Sequence, residues 1–292
     1  MSENFGNVKN MENIEKSDKI PPYYKEVARK IKYNEYEELE KIISKIMKYH
    51  PDNPIPYLLK GMLYIINGKF ENAIKILNEG LKYSPNNLFI RFILSNAYEL
   101  MNKVDESLRE YDEILKINPN FVPALLRKGE LLRRVGKYEE ALKYYDRVLK
   151  IAPNIIAFYG KASILYSLGN LEEALKYIDK ALEINPKFLD ALILKAEILF
   201  ALNKFSKAII TLEKALNIRP DDTRALFILG LIHLKLNEYK EAIDVFKKIL
   251  EQNSNHIGAQ FGMAVAYERL GEIEEAINLY NKIVEKYLKK DS

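Results

Sequence analysis

The hexapeptide LKINPN, Leu115 to Asn120, closes one amphipathic segment with a proline and returns in near copy as LKIAPN (Leu149 to Asn154), LEINPK (Leu182 to Lys187) and LNIRPD (Leu216 to Asp221). The prolines form a ruler. Pro51, Pro85, Pro119 and Pro153 stand 34 residues apart, Pro186 follows after 33 and Pro220 after 34 more, and Ser254 continues the series without the ring. A fixed period of roughly 20 to 50 residues marks a solenoid of stacked units.

Units begin at Pro54, Leu88, Val122, Ile155, Leu189, Thr223 and Ile257, the fourth early because the loop at Pro153 is one residue short. In each, two apolar-periodic segments of helical length flank a short break: Tyr57 to Ile66, then NGKF, then Glu71 to Tyr83 in the first. The break returns as VGKY (Val135 to Tyr138), LGNL (Leu168 to Leu171), LNKF (Leu202 to Phe205), LNEY (Leu236 to Tyr239) and LGEI (Leu270 to Ile273). Its Gly or Asn suits a left-handed residue that ends the first helix. The acidic pairs that often follow, such as Glu139-Glu140, suit the dipole at the start of the second.

Small residues recur in two columns, Gly61, Ser95, Gly129, Ala162, Ala196, Gly230, Ala264 and Ala73, Ser107, Ala141, Ala174, Ala208, Ala242, Ala276. They let two helices approach near the lower end of the usual separation of about 8 to 10 Å. Large residues fill around them: Tyr64, Tyr98, Leu132, Leu165, Leu199, His233 and Tyr267 on first helices, Leu77, Tyr111, Tyr145, Ile178, Leu212, Phe246 and Tyr280 on second helices. Proline, lacking an N–H, then stops the second helix.

A small residue, an aromatic three positions on, Ala-x-x-x-aromatic and then Pro, repeated every 34 residues, resembles the tetratricopeptide repeat. The resemblance covers about Pro54 to Leu288. The family's frequent Trp early in the first helix is absent, with Tyr57, Arg91, Leu125, Phe158, Leu192, Leu226 and Gln260 in its place, which changes packing and leaves the fold intact. The expected fold is all-α: a right-handed α-α superhelical solenoid of tandem antiparallel helix pairs. Residues 1–19 are expected to be a disordered polar tail, 20–53 a degenerate N-terminal capping repeat, 54–288 seven tandem repeats and 289–292 a C-terminal tail. In the cap, Leu39 stands where Ala belongs and Lys30 where the core aromatic belongs, while Tyr36, Ile43 and Ile46 fit.

Composition agrees with a folded, soluble chain: 292 residues, 48% hydrophobic and 29% charged, with 12 Gly and 11 Pro. Lys+Arg 45 against Asp+Glu 41 gives a net charge of +4, mild and evenly interleaved, which disfavours nucleic acid as a partner. With no Cys there are no disulfides, thiolate metal sites or cysteine nucleophiles. The N-terminus lacks the apolar core of a signal peptide and no apolar run reaches the 18 or so residues of a membrane span, so a cytoplasmic location and no membrane partner are expected.

Catalytic chemistry finds little footing. His50, His233 and His256 lie on different units, so no pair has the close helical spacing of a zinc site. GKYEEAL (Gly136 to Leu142) suggests a phosphate loop only superficially, since no G-x-x-x-x-G-K-[ST] occurs. Adjacent Glu pairs do not face each other on a helix, and their recurrence is what a capped helix start requires. No nucleophile, base and orienter set is present. A non-enzymatic protein with no metal and no cofactor is expected.

Binding is implied by the resemblance, in which first helices line a concave groove through about the second, fifth, ninth and twelfth slots. The fifth slot is apolar throughout, at Tyr24, Leu58, Phe92, Leu126, Tyr159, Ile193, Phe227 and Phe261. The expected groove residues are Leu58, Met62, Phe89, Phe92, Asn96, Leu126, Arg127, Glu130, Tyr159, Ser163, Tyr166, Glu197 and Phe200. Part of this stripe must pack against neighbouring repeats. Such a groove suits an amphipathic helix or an extended hydrophobic peptide. The family's carboxylate clamp for a chaperone C-terminus needs Lys and Asn, then Asn, then Lys and Arg. The matching slots here hold Leu58 and Met62, Ile93, Pro123 and Arg127, so only Arg127 fits and that partner is not carried over.

A column of Lys60, Lys128, Lys161 and Lys195 stands where the family usually has Leu. Each stem is expected to cover apolar surface while the head reaches water or a Glu; the alternative is a cationic ridge for an acidic partner or nucleic acid. Finally, Ile277, Tyr280, Val284 and Tyr287 of the last second helix would face a following helix, yet the sequence stops at KKDS. These residues form a candidate association patch for a homo-oligomer. The reading is a scaffold that binds a peptide or helix of a partner protein, with a self-assembly module and a nucleic-acid-binding solenoid as alternatives.

Overall fold

A computed structural model describes residues 36–288. The expected N-terminal tail, residues 20–35 of the expected cap (with Lys30 and the fifth-slot Tyr24) and the last four residues lie outside the described residues, as do the side chains of Tyr36 and Tyr287. Fifteen helices and no strand are described: α1 (Tyr36–Tyr49), α2 (Pro54–Ile66), α3 (Phe70–Tyr83), α4 (Leu88–Leu100), α5 (Val104–Ile117), α6 (Val122–Arg134), α7 (Tyr138–Ile151), α8 (Ile155–Ser167), α9 (Leu171–Ile184), α10 (Leu189–Ala201), α11 (Phe205–Ile218), α12 (Thr223–Lys235), α13 (Tyr239–Gln252), α14 (Ile257–Leu270) and α15 (Ile273–Leu288). The fold is all-α and repetitive. The chain divides into two compact units, Met1–Leu131 and Leu132–Ser292, with the border inside α6.

Local chemistry sets the helix ends. Between the helices of each pair one residue takes positive φ: Gly68, Asn102, Gly136, Gly169, Asn203, Asn237 and Gly271. Glycine has no Cβ to clash there, and Asn tolerates the left-handed region better than other side chains. The second helices stop one residue before the proline column, where Asn118, Ala152, Asn185 and Arg219 are extended. The ring of a following proline disfavours helical backbone at the residue before it. Several first helices are started by side-chain caps, Asn87 and Asn154 each accepting two backbone N–H bonds and Asp222 accepting one from Ala225, whereas Phe188 before α10 offers none.

In the first unit α2 pairs with α3 and α4 with α5, while α3 packs on α4. Helix α1 covers α2 through Leu39 and Ile43, both fully buried beside Leu63. In the second unit α8 pairs with α9, α10 with α11, α12 with α13 and α14 with α15, and each second helix also packs on the first helix that follows. Glycine is needed where an aromatic ring crosses a neighbouring backbone. A Cβ on Gly160 would stand 2.3 Å from the Tyr145 ring, and Cβ atoms on Gly230 and Gly262 would stand 2.6 and 2.5 Å from Phe246. Phe246 is fully buried between those two glycines.

The slot where the family often has Trp is used in a specific way. Tyr57 donates its hydroxyl to the Pro51 carbonyl at 2.9 Å, Arg91 its Nε to the Pro85 carbonyl at 3.1 Å, and Gln260 its Nε2 to the Ser254 carbonyl at 2.8 Å. Each ties the loop before a first helix to that helix. Gly230→Val should force the buried Phe246 off its seat and cost about 1–3 kcal/mol, read as a lower urea midpoint with an unchanged slope.

Candidate functional site

Within each unit consecutive first helices touch: α2 with α4 in the first, and α8 with α10, α10 with α12 and α12 with α14 in the second. Consecutive second helices make no comparable contact, so the first-helix face is the inner, more crowded one.

In the first unit that face carries rings and one buried polar cluster. Phe89 is 61% exposed and meets Phe121 edge-on at 6.1 Å, while Phe92 meets Phe121 at 6.2 Å and Tyr111 at 6.1 Å. Leu58, Met62, Asn96, Leu126, Arg127 and Glu130 are half-buried on the same face. The Tyr111 hydroxyl donates to Glu99 Oε1 at 2.7 Å; Arg127 Nη2 donates to Glu99 Oε2 at 3.0 Å and to Asn96 Oδ1 at 3.3 Å. Burial, then the Glu99 charge, pushes the Tyr111 phenol well above its ordinary range. Burial works against the Arg127 charge, but Glu99, Tyr111 and Glu130 together outweigh it and leave the guanidinium more firmly protonated. Arg127 therefore already holds a carboxylate of its own chain.

In the second unit Tyr159 is half-buried, its phenol raised by burial, and its ring lies 5.3 Å from Phe188. Ser163 accepts a hydrogen bond from Arg133 Nη1 at 3.2 Å, and Tyr166 is half-buried with its phenol raised by burial and by Glu197. Arg224 bridges Asp190 at 3.4 Å and Glu197 at 3.5 Å. Burial raises the Glu197 carboxyl, an effect that Arg224 only partly opposes. Beyond Phe200 the face opens into a cavity of about 570 Å³, lined by Phe200, Phe227, Leu231, Leu234, Lys235, Asn237, Tyr239, Gly258, Phe261, Gly262, Val265 and Arg269. Of the expected groove residues it takes in Phe200 alone.

The fifth slot is not uniformly open: Ile193 is buried in the core. Three of its aromatic members also have partners in the loops, whereas Phe261 meets Tyr280 of α15 at 5.9 Å. Phe121, Phe188 and His256, each the residue before a first helix, pack on Phe92, Tyr159 and Phe227. Where the fifth slot is Leu58, Leu126 or Ile193, the corresponding loop residue is the polar Asn87, Asn154 or Asp222. Loop residues fall outside the helical pattern, so Phe121, Phe188 and His256 were not among the expected site residues. The common separation of 29 residues from an aromatic fifth slot is the signal that marks them.

Three of the four lysines in the column reach aspartates rather than water or Glu, while Lys60 lies 6.0 Å from the centre of the Tyr64 ring. Lys128 pairs with Asp112, Lys161 with Asp146 at 2.5 Å and Lys195 with Asp179 at 2.7 Å. Each pair joins a first helix to the second helix of the preceding repeat. Burial pulls the Lys161 pKa down, but the Asp146 hydrogen bond and Tyr177, whose ring lies 4.3 Å from the ammonium, leave it raised.

His256 Nδ1 accepts the Ala259 N–H at 3.0 Å as a helix cap, and His233 Nδ1 lies 2.6 Å from Glu238. Among the described residues no group of three or more His, Cys, Asp or Glu is placed to hold a metal ion, and no helix is long and apolar enough to cross a membrane. On α15, Ile277 and Val284 are 51% and 54% exposed, whereas Tyr280 is half-buried and donates to Glu268 at 2.9 Å.

Family models match along most of this stretch. The model described as anaphase-promoting complex, cyclosome, subunit 3 matches residues 134–215 and 204–283, and tetratricopeptide repeat models match 56–87 and 93–154. Comparison with curated proteins finds no match. Among solved structures, a tetratricopeptide repeat protein from Parabacteroides merdae is 20% identical, with a TM-score of 0.62 over 84% of this chain and 97% of that one. A chain of an APC/C hetero-tetramer is 16% identical, with a TM-score of 0.68 over 88% of this chain and 51% of that one. YrrB, described as a repeat protein with an unusual peptide-binding site, is 18% identical, with a TM-score of 0.52 over 63% of this chain and 95% of that one.

The Glu197 carboxyl has a folded pKa above its unfolded value, so the folded state holds its proton more tightly and loses stability as pH rises through that window. Glu197→Gln should therefore raise the urea midpoint at pH 7, with the gain gone at pH 4. Glu99→Ala removes the carboxylate that Arg127 and the Tyr111 hydroxyl share, and should cost about 1–3 kcal/mol in the same assay.

Proposed function

Because this chain belongs to the tetratricopeptide repeat family, whose members generally mediate protein–protein interactions, we propose that it is a non-catalytic scaffold that binds a peptide or helix of a partner protein on its first-helix face. The observation that carries this reading is the cavity of about 570 Å³ on that face, bounded mainly by aromatic and aliphatic side chains. Concave, largely apolar pockets with a few polar groups at the edge are what ligand sites present. Peptides occupy such surfaces by laying an apolar face against them. The peptide-binding site named for YrrB is consistent with this use of the fold.

The proposed contacts in the first unit are Leu58, Met62, Phe89, Phe92, Asn96, Leu126, Arg127 and Glu130, and in the second Tyr159, Ser163, Tyr166, Glu197 and Phe200, to which the cavity adds Phe227, Leu231 and Phe261. The lysine column lends nucleic-acid binding no support, because Lys128, Lys161 and Lys195 face aspartates of their own chain. A second reading, self-association through α15, draws on the half-exposed Ile273, Ile277 and Val284. A concentration-dependent mass by light scattering that Ile277→Asp abolishes would establish it.

A photo-crosslinking residue placed at Phe261 or Tyr166 should trap partner protein from native extract. One at Ile210, exposed on the second helix α11, should not. Equal trapping from both faces would remove the first-helix face as the binding surface.

A further inference from the structure

The cations of the first-helix face are nearly all matched within the chain: Arg127 by Glu99, Arg224 by Asp190 and Glu197, and Lys128, Lys161 and Lys195 by aspartates. Two that line the cavity are not. Lys235 and Arg269, exposed at the ends of α12 and α14, make no ion pair among the described residues. The neighbouring carboxylates are engaged elsewhere, Glu197 with Arg224, Glu238 with His233 and Glu268 with the Tyr280 hydroxyl.

Between those cations the floor is apolar. Phe227, Leu231, Leu234, Phe261 and Val265 line it, and Phe261 is 54% exposed. Gly258 keeps it open: a Cβ there would stand 2.9 Å from the Phe227 ring. The cavity, at about 570 Å³, falls within the range of about 300–1,000 Å³ over which ligand pockets spread.

We propose that the cavity between α10, α12 and α14 takes an amphipathic segment of a partner protein whose apolar side chains are flanked by carboxylates, which Lys235 and Arg269 receive. This rests on the reading of the first-helix face as a binding surface and adds to it a place and a charge class. Complementary charge at the rim of an apolar contact selects partners and speeds their encounter. A cation at a helix C-terminus is also favoured by the helix dipole, so the deciding measurement reads binding rather than stability.

Two labelled helical peptides of about five turns, with the same Leu and Phe face and either Glu or Lys on the remaining positions, are titrated with the full chain by fluorescence anisotropy. The Glu peptide should bind about tenfold or more tightly than the Lys peptide. The exposed double variant K235E/R269E should abolish or reverse that preference with unchanged circular dichroism, and F261S should weaken both peptides. Equal binding of the two peptides, or a preference that survives K235E/R269E, overturns the acidic class. Binding indifferent to F261S overturns the place. Failure of both peptides to bind overturns the proposal, while cross-linking from Tyr166 still decides whether the face binds at all.

Discussion

The close approach of neighbouring helices, within a repeat and between one repeat and the next, is the constraint on which the rest of this protein depends. It exists because small residues occupy the crossing points: Gly230 and Gly262 leave room for Phe246, and Gly160 for Tyr145, where a single methyl group would overlap the ring. The rings then fill the space the glycines concede, and dispersion across many short contacts holds the pair. With the helices fixed at that spacing, first helices meet first helices, and the inner face of each unit follows.

Electrostatics act on this frame in a second layer. The pairs Lys128–Asp112, Lys161–Asp146 and Lys195–Asp179 each join a first helix to the second helix before it, and so set how successive repeats stack. Lys161 lies largely out of solvent, so removing Asp146 would leave a charge poorly compensated. Positive charge spent between repeats is not offered to a ligand. The family position is apolar, and this chain has turned it into a polar clasp.

The class of fold was legible because the period is written in residues whose chemistry is unambiguous. Proline stops a helix, and Gly or Asn permits positive φ at Gly68, Asn102, Gly136, Gly169, Asn203, Asn237 and Gly271. The site was less legible, because a helical pattern assigns a face to a residue without saying what covers it. Ile193 and Phe227 share a slot, yet Ile193 is core and Phe227 lines a cavity. Arg127 was expected in the groove, and the structure shows Glu99 already holding it; that needed the tertiary distance. The lysines were expected to reach water or Glu, although Asp112, Asp146 and Asp179 repeat at nearly the same interval as the column itself.

Among the side-chain hydrogen bonds and ion pairs described, none spans more than 34 residues of sequence, the reach of Arg224 to Asp190. Among the described residues each repeat thus packs chiefly on its immediate neighbour, and the helix contacts close no long loops. Low contact order of this kind allows folding to begin at many points and to proceed quickly. During synthesis, an apolar helix face leaving the ribosome waits only for the next repeat to cover it. The same 34-residue interval that spaces the prolines also bounds how much unfinished surface the nascent chain exposes at once.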